Sequence, residues 1–160
     1  MDTLGALPSI FARNCIARRI DKGTADEFLR LNHRMGATSC RYRYGLFTRR
    51  STGSSERIDI PTDTLVAVAT FSSGRRMHGG SRSFEWIRYA PLEGCRVVGG
   101  MGKLLETFAV EVRPDDVMTY VDGSVSDGEA YRKLGFLLEA TVCRAEFKDL
   151  KYRKRFTCSG

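Results

Sequence analysis

Two periodicities interleave along the chain. Residues 65–71 (Leu-Val-Ala-Val-Ala-Thr-Phe) form an apolar, partly β-branched run that predicts a buried strand. Residues 41–47 and 84–90 alternate between the two faces expected of strands, and 117–122 predict another. Residues 136–147 and 151–156 predict two closing strands. Helical spacing appears elsewhere. Phe28, Leu29 and Leu31 give an apolar side to a helix running to about His33, with Gly36 ending it. Thr24 and Glu27 stand at capping-box spacing at its start. Leu104, Leu105, Phe108 and Val112 predict a second helix, stopped by Pro114. A short helix over 129–134 ends at Gly135, the left-handed cap position. Residues 1–14 read as an irregular arm or short edge segment, 49–60 as a polar loop, and 72–83 as a basic turn. The order of elements predicts an α/β arrangement around one sheet.

At 160 residues, the chain is expected to form one domain over 1–160. It has no run of 18 apolar residues, and its start lacks a basic, apolar leader, so a cytoplasmic protein without membrane contact is expected. The net charge of +7 suits an anionic partner, although a basic surface also serves solubility. Five scattered cysteines without a CxxC pair argue against a disulfide framework or a zinc site, and Cys143 reads as a small core residue. No metal ligands are assigned.

The most informative segment is Val97-Val98-Gly99-Gly100-Met101-Gly102-Lys103. Glycines between a strand and a helix let an anion approach main-chain amides, and the first helical amides have no internal partner. Arg96 and Lys103 add cations, and Val98, Gly99, Gly100 and Gly102 form the cradle itself. The segment is neither a P-loop nor a dinucleotide fingerprint. The same glycines also suit close helix–sheet packing.

Gly100-Met101-Gly102, with Tyr131 and Leu134-Gly135-Phe136 further on, resembles the Gcn5-related N-acetyltransferase (GNAT) superfamily over about residues 60–147. The stretch from Pro91 to Val98 is longer than is typical there. The resemblance implies a mixed α/β (α+β) fold with a mostly antiparallel central sheet flanked by helices. It also implies acetyl-CoA or another acyl-CoA as the thioester partner, and N-acyltransferase activity. Further features, including His33, Gly36, Tyr44, Gly45, Glu85, Arg88 and Tyr89, are similar to Mom-type DNA-modification proteins and phage GNAT-like domains. That similarity implies DNA as the acceptor. The alternatives are a non-catalytic nucleic-acid-binding module and a small-molecule or protein N-acetyltransferase.

Acyl transfer requires a group to take a proton from the amine and one to return a proton to the thiolate. The resemblance implies Tyr131 as the acid; otherwise its ring simply packs on the sheet. Glu85, within an apolar strand, and Asp122, at a strand end, are the candidate bases. Asp122 equally suits capping the turn at Gly123. Arg88 is expected on the face opposite Glu85 unless a bulge intervenes, so no Glu85–Arg88 salt bridge is expected. His33 reads either as a helix-end group or, by the Mom-type resemblance, as an active-site group. Tyr44, Arg75, Arg76 and Arg88 are candidate substrate or nucleic-acid contacts. Whether the basic stretches share a face is open, as is the oligomeric state.

Overall fold

The computed structural model describes residues 8–49 and 60–156. Most of the 49–60 loop and Cys158 therefore lie outside the described residues. The chain runs β1 (Ser9–Phe11), a 3-10 turn (Ala12–Asn14), β2 (Cys15–Arg19), α1 (Lys22–Asn32), β3 (Tyr42–Thr48), β4 (Leu65–Phe71), β5 (Arg75–Arg76), β6 (Arg82–Pro91) and β7 (Arg96–Val98). It continues as α2 (Gly100–Val112), β8 (Asp116–Asp122), α3 (Glu129–Lys133), β9 (Leu137–Arg144) and β10 (Phe147–Arg155). The main sheet has the order β2-β3-β4-β6-β8-β10-β9, with β5 paired beside β6; β1 and β7 form a separate parallel pair. All contacts in the main sheet are antiparallel except β6–β8. This is the mixed, mostly antiparallel sheet with flanking helices that was expected.

The β6–β8 junction shapes the molecule. Ser83, Phe84 and Glu85 pair in parallel with Asp116, Val117 and Met118, and the ladder ends there although β6 continues to Pro91 and β8 to Asp122. The Thr119 hydroxyl donates to the Trp86 carbonyl at 3.0 Å, where the pairing ends. Register against β4 also shifts here: Thr70 faces Arg88 and Phe71 faces Trp86, leaving Ile87 as a bulge.

The helices pack on opposite faces. Leu104, Leu105 and Phe108 of α2 enter the larger core with Tyr44, Phe71 and Trp86. Phe71 stacks on Phe108 with ring centroids 4.0 Å apart. On the other face Ala25, Phe28 and Leu29 of α1 cover Val68 and Ala90.

Several expectations are corrected. Asp21, not Thr24, caps α1: its carboxylate accepts from the Thr24 amide at 2.8 Å, which places Thr24 inside the first turn. The 1–14 segment contributes the short strand β1, one of the two forms expected of it, but the β2 that follows is too short and mixed in pattern to show in the sequence. The basic turn holds the two-residue β5. Cys143 is exposed because β9 is the sheet edge, whereas Cys15 occupies the core.

Candidate active site

Gly99, with φ at +80°, is the N-cap of α2 and makes no side-chain capping bond. Lys103 N–H already donates to the Gly99 carbonyl, so the earlier first-turn amides of Gly100, Met101 and Gly102 are the donors available for an anion. Gly100 is tightly enclosed. A Cβ there would lie 2.7 Å from the Tyr89 hydroxyl and 2.8 Å from Val97 Cγ1. At Gly102 it would meet Leu134 Cδ2 at 3.3 Å, which ties the first turn of α2 to the end of α3.

Behind Gly100 lies an aromatic and phenolic wall. Tyr131 meets Trp86 edge-on at 5.3 Å between ring centroids and Phe136 at 5.5 Å, and Tyr89 meets Trp86 edge-on at 6.2 Å. Burial pushes the Tyr131 phenol above its ordinary value, with the Thr119 hydroxyl beside it as a smaller opposing influence. Burial raises Tyr89 as well, followed by its proximity to Tyr131. Both phenols therefore stay protonated at neutral pH. Tyr89 and Thr119 are absent from the sequence-based candidates. The β6 alternation offered Tyr89, but nothing local marked its approach to the glycine loop.

Glu85 and Arg88 lie on the opposite sheet face. The bulge at Ile87 restores Arg88 to the face of Glu85, correcting the simple alternation. Burial raises the Glu85 carboxyl, and the charge of Arg88 works against this. No Glu85–Arg88 salt bridge forms among the described residues. Arg88 Nε donates to the Gly36 carbonyl at 2.9 Å, and its NH1 donates to the Ile87 carbonyl at 3.2 Å.

The same turn holds His33, whose Nδ1 accepts from the Met35 amide at 2.9 Å. Burial lowers the His33 pKa, assisted by Arg88 and Arg34, so the ring is neutral at pH 7. Arg34 lies 3.5 Å from Asp122. Asp122 also accepts from the Ser124 hydroxyl and amide, at 2.6 and 3.0 Å; these bonds and then Arg34 hold its carboxyl below the ordinary range. His33, Arg88 and Asp122 are thus joined through the 33–36 turn, with Glu85 next to Arg88. Asp122 makes the turn-capping bonds that its position suggested.

Four sequence candidates remain to be placed. Lys103 Nζ donates to the carbonyls of Cys15 at 2.6 Å and Ala12 at 3.0 Å, so it ties α2 to the N-terminal strands instead of extending toward the loop opening. Tyr44 is fully buried and donates to Glu111 at 2.7 Å, which removes it from any substrate surface. Arg96 and Val98 belong to β7, paired with Ser9 and Phe11, and Val98 lines a groove of about 770 Å³ along α2 with Phe11, Gly99 and Gly102. Register brings Arg41, Arg75, Arg76 and Arg155 to one sheet end. Arg41 N–H donates to Phe71 O, Arg75 and Arg76 pair with Ser83 and Arg82, and Arg155 pairs with Asp116.

No protein-family model and no curated protein matches the chain. Solved structures do resemble it. The ribosomal-protein-S18-alanine N-acetyltransferase from Escherichia coli aligns with TM-score 0.64 and 12% identity, covering 91% of this chain and 96% of that one. A chain of the NatC complex bound to Gag peptide and CoA gives TM-score 0.61 and 13% identity over 90% and 99% of the two chains. Arabidopsis thaliana Naa50, in complex with the bisubstrate analogue CoA-Ac-MVNAL, gives 0.60 and 11% over 89% and 99%. The fold is therefore that of the GNAT acetyltransferases. Among the described residues, no group of three or more His, Cys, Asp or Glu is placed to hold a metal ion, and no helix is long and apolar enough to cross a membrane.

Proposed function

We propose that the chain is an acyl-CoA-dependent N-acyltransferase. The observation that carries this reading is the pressing of Gly100 against the Tyr89 hydroxyl where β6 and β8 part, with Tyr131 on the same aromatic wall and Glu85 on the opposite face. The cradle suits a diphosphate: Gly99 leaves the helix start without a side-chain cap, and Gly100 lets the first turn of the helix sit against Tyr89 and Val97, where a Cβ would collide with both. Gly100, Met101 and Gly102 would hold the diphosphate through their amides. When bound, the thioester supplies an acyl group activated for transfer to nitrogen.

The protein's own groups divide the proton transfers. Glu85 accepts a proton from the amine nitrogen at a carboxylate oxygen, which burial makes more basic. Tyr131 holds its proton at Oη for the departing sulfur, because burial disfavours the phenolate. The 33–36 turn bears on the acceptor side through Arg88, with His33 as a neutral positioning residue. Titration calorimetry and thermal shift with acetyl-CoA test the assignment; no heat and no shift would remove it in favour of a binding module.

A nucleic-acid acceptor is the finer reading, implied by the similarity to Mom-type DNA-modification proteins. It draws support from the gathering of Arg41, Arg75, Arg76 and Arg155 at one sheet end. Duplex-DNA binding that weakens steeply with salt is the expected result. Binding insensitive to salt, or none, would return the acceptor to small molecules or proteins.

A further inference from the structure

Beside Glu85 lies a polar cleft of about 560 Å³, formed by Ser72–Arg75, the start of β6, and Met118, Tyr120, Lys151 and Arg153. Its register defines its chemistry. Arg75 pairs with Ser83, and Glu85 lies two residues farther along β6 on the same face, about 7 Å away at ordinary strand rise. Met118 pairs with Glu85 and with Arg153, and Tyr120 pairs with Lys151, so these side chains share that face.

Most of the charge in the floor is satisfied internally. Arg153 bonds Asp116 and Glu139, and Lys151 lies 3.2 Å from Glu139. This four-member group carries two positive and two negative charges. Ser83 closes it, donating to Asp116 at 2.6 Å and accepting from Arg153 at 3.1 Å. Ser72 is also committed, accepting from the Glu85 amide at 2.8 Å and donating to the Ser73 carbonyl. Glu85 is left at one end of the cleft and Arg75 at the other. Arg75 makes no ion pair or side-chain hydrogen bond among the described residues.

We infer that this cleft receives an amine acceptor that also carries an anionic group, the amine at Glu85 and the carboxylate or phosphate at Arg75. The inference rests on the proposed role of Glu85 and adds the acceptor's charge pattern. With the four-member group neutral, Glu85 and Arg75 leave one negative and one positive end, which matches an acceptor of this kind better than a polyamine. Tyr120, 48% exposed, and Met118 offer an apolar floor for the few atoms between the two charges.

The test uses the full chain with acetyl-CoA and three probe amines: phosphoethanolamine, β-alanine and uncharged-tail ethanolamine. Calorimetric binding of each amine is measured alongside release of CoA thiol. At least one anionic amine should bind ten or more times tighter than ethanolamine. Preference for phosphoethanolamine identifies a phosphate, and preference for β-alanine a carboxylate. Arg75→Gln should abolish the preference, and Arg75→Lys should restore part of it. Acetylation of all three amines without regard to charge, or an anion preference that survives Arg75→Gln, would overturn the cleft assignment while leaving acyl transfer intact. Arg75-dependent anion binding without acetylation of any amine or binding of acetyl-CoA would instead remove the acyltransferase reading and leave the anion site.

Discussion

The Tyr89 hydroxyl occupies the space that a side chain at position 100 would need, 2.7 Å from an ideal Cβ on Gly100. The helix that opens the anion cradle and the strand that carries the phenol therefore depend on each other's shape. Gly100→Ala should push Tyr89 or Val97 aside and weaken acetyl-CoA binding by about tenfold or more, with a loss of stability of about 1–3 kcal/mol from overpacking. Gly102→Ala meets only the end of the Leu134 side chain, at 3.3 Å, and should cost less in both respects. Calorimetry and thermal melts of the two variants check the order; equal effects would contradict it.

Tyr131→Phe keeps the ring against Trp86 and Phe136 and removes only the hydroxyl that carries the proton. Turnover should fall by about 10²–10⁴-fold, in the range typical of lost acid–base catalysis, with acetyl-CoA affinity nearly unchanged. Steady-state kinetics beside calorimetry make the comparison. Unchanged turnover would take Tyr131 out of the mechanism.

Glu85 links activity and stability with opposite signs. Burial raises its folded carboxyl above the ordinary 4.5, so the folded state holds that proton more firmly than the unfolded chain does. Its contribution to stability therefore falls as pH rises from the unfolded value through the raised folded value. Activity that needs the carboxylate rises over the same interval. Glu85→Gln should raise the melting temperature at pH 7, remove the acidic limb of the kcat/KM profile and lower turnover by about 10²-fold or more. A variant that melts lower, or keeps the limb, would count against burial and base together.

Much of the scaffold was legible because its signals are local. Residues 65–71 are apolar on both sides and became a central strand, and the spacing of Leu104, Leu105 and Phe108 marked the buried side of α2. What stayed hidden depends on contacts between distant segments. No glycine or proline announces the bulge at Ile87, which shows only in the pairing with β4 and moves Arg88 to Glu85's face. Lys103 reads as a phosphate ligand until the N-terminal turn supplies the carbonyls of Ala12 and Cys15. Tyr44 resembles a surface aromatic between arginines, yet β3 lies between β2 and β4 beneath α2, where its ring packs on Phe71 and Phe108. The β5 and β7 strands are too short to impose a period of their own.

Acid should weaken the pairing of the last two strands. Hydrogen bonding from Arg153, then Lys151, draws the Glu139 carboxyl from 4.5 down to about 2. A depressed folded value contributes stability that is fully present above the unfolded pKa and is lost as pH falls toward the folded one. The window for this residue is thus about pH 4.5 down to about 2, and solvent around its partly exposed side chain moderates the effect. Glu139→Gln should lower the melting temperature by a few degrees at pH 7, where wild type has the full contribution, and the two melting curves should converge near pH 2. Added salt should narrow the gap at pH 7, since screening weakens the Lys151 and Arg153 attraction. A gap that stays constant from pH 7 to pH 2 would show that Glu139 acts through packing, not through its charge.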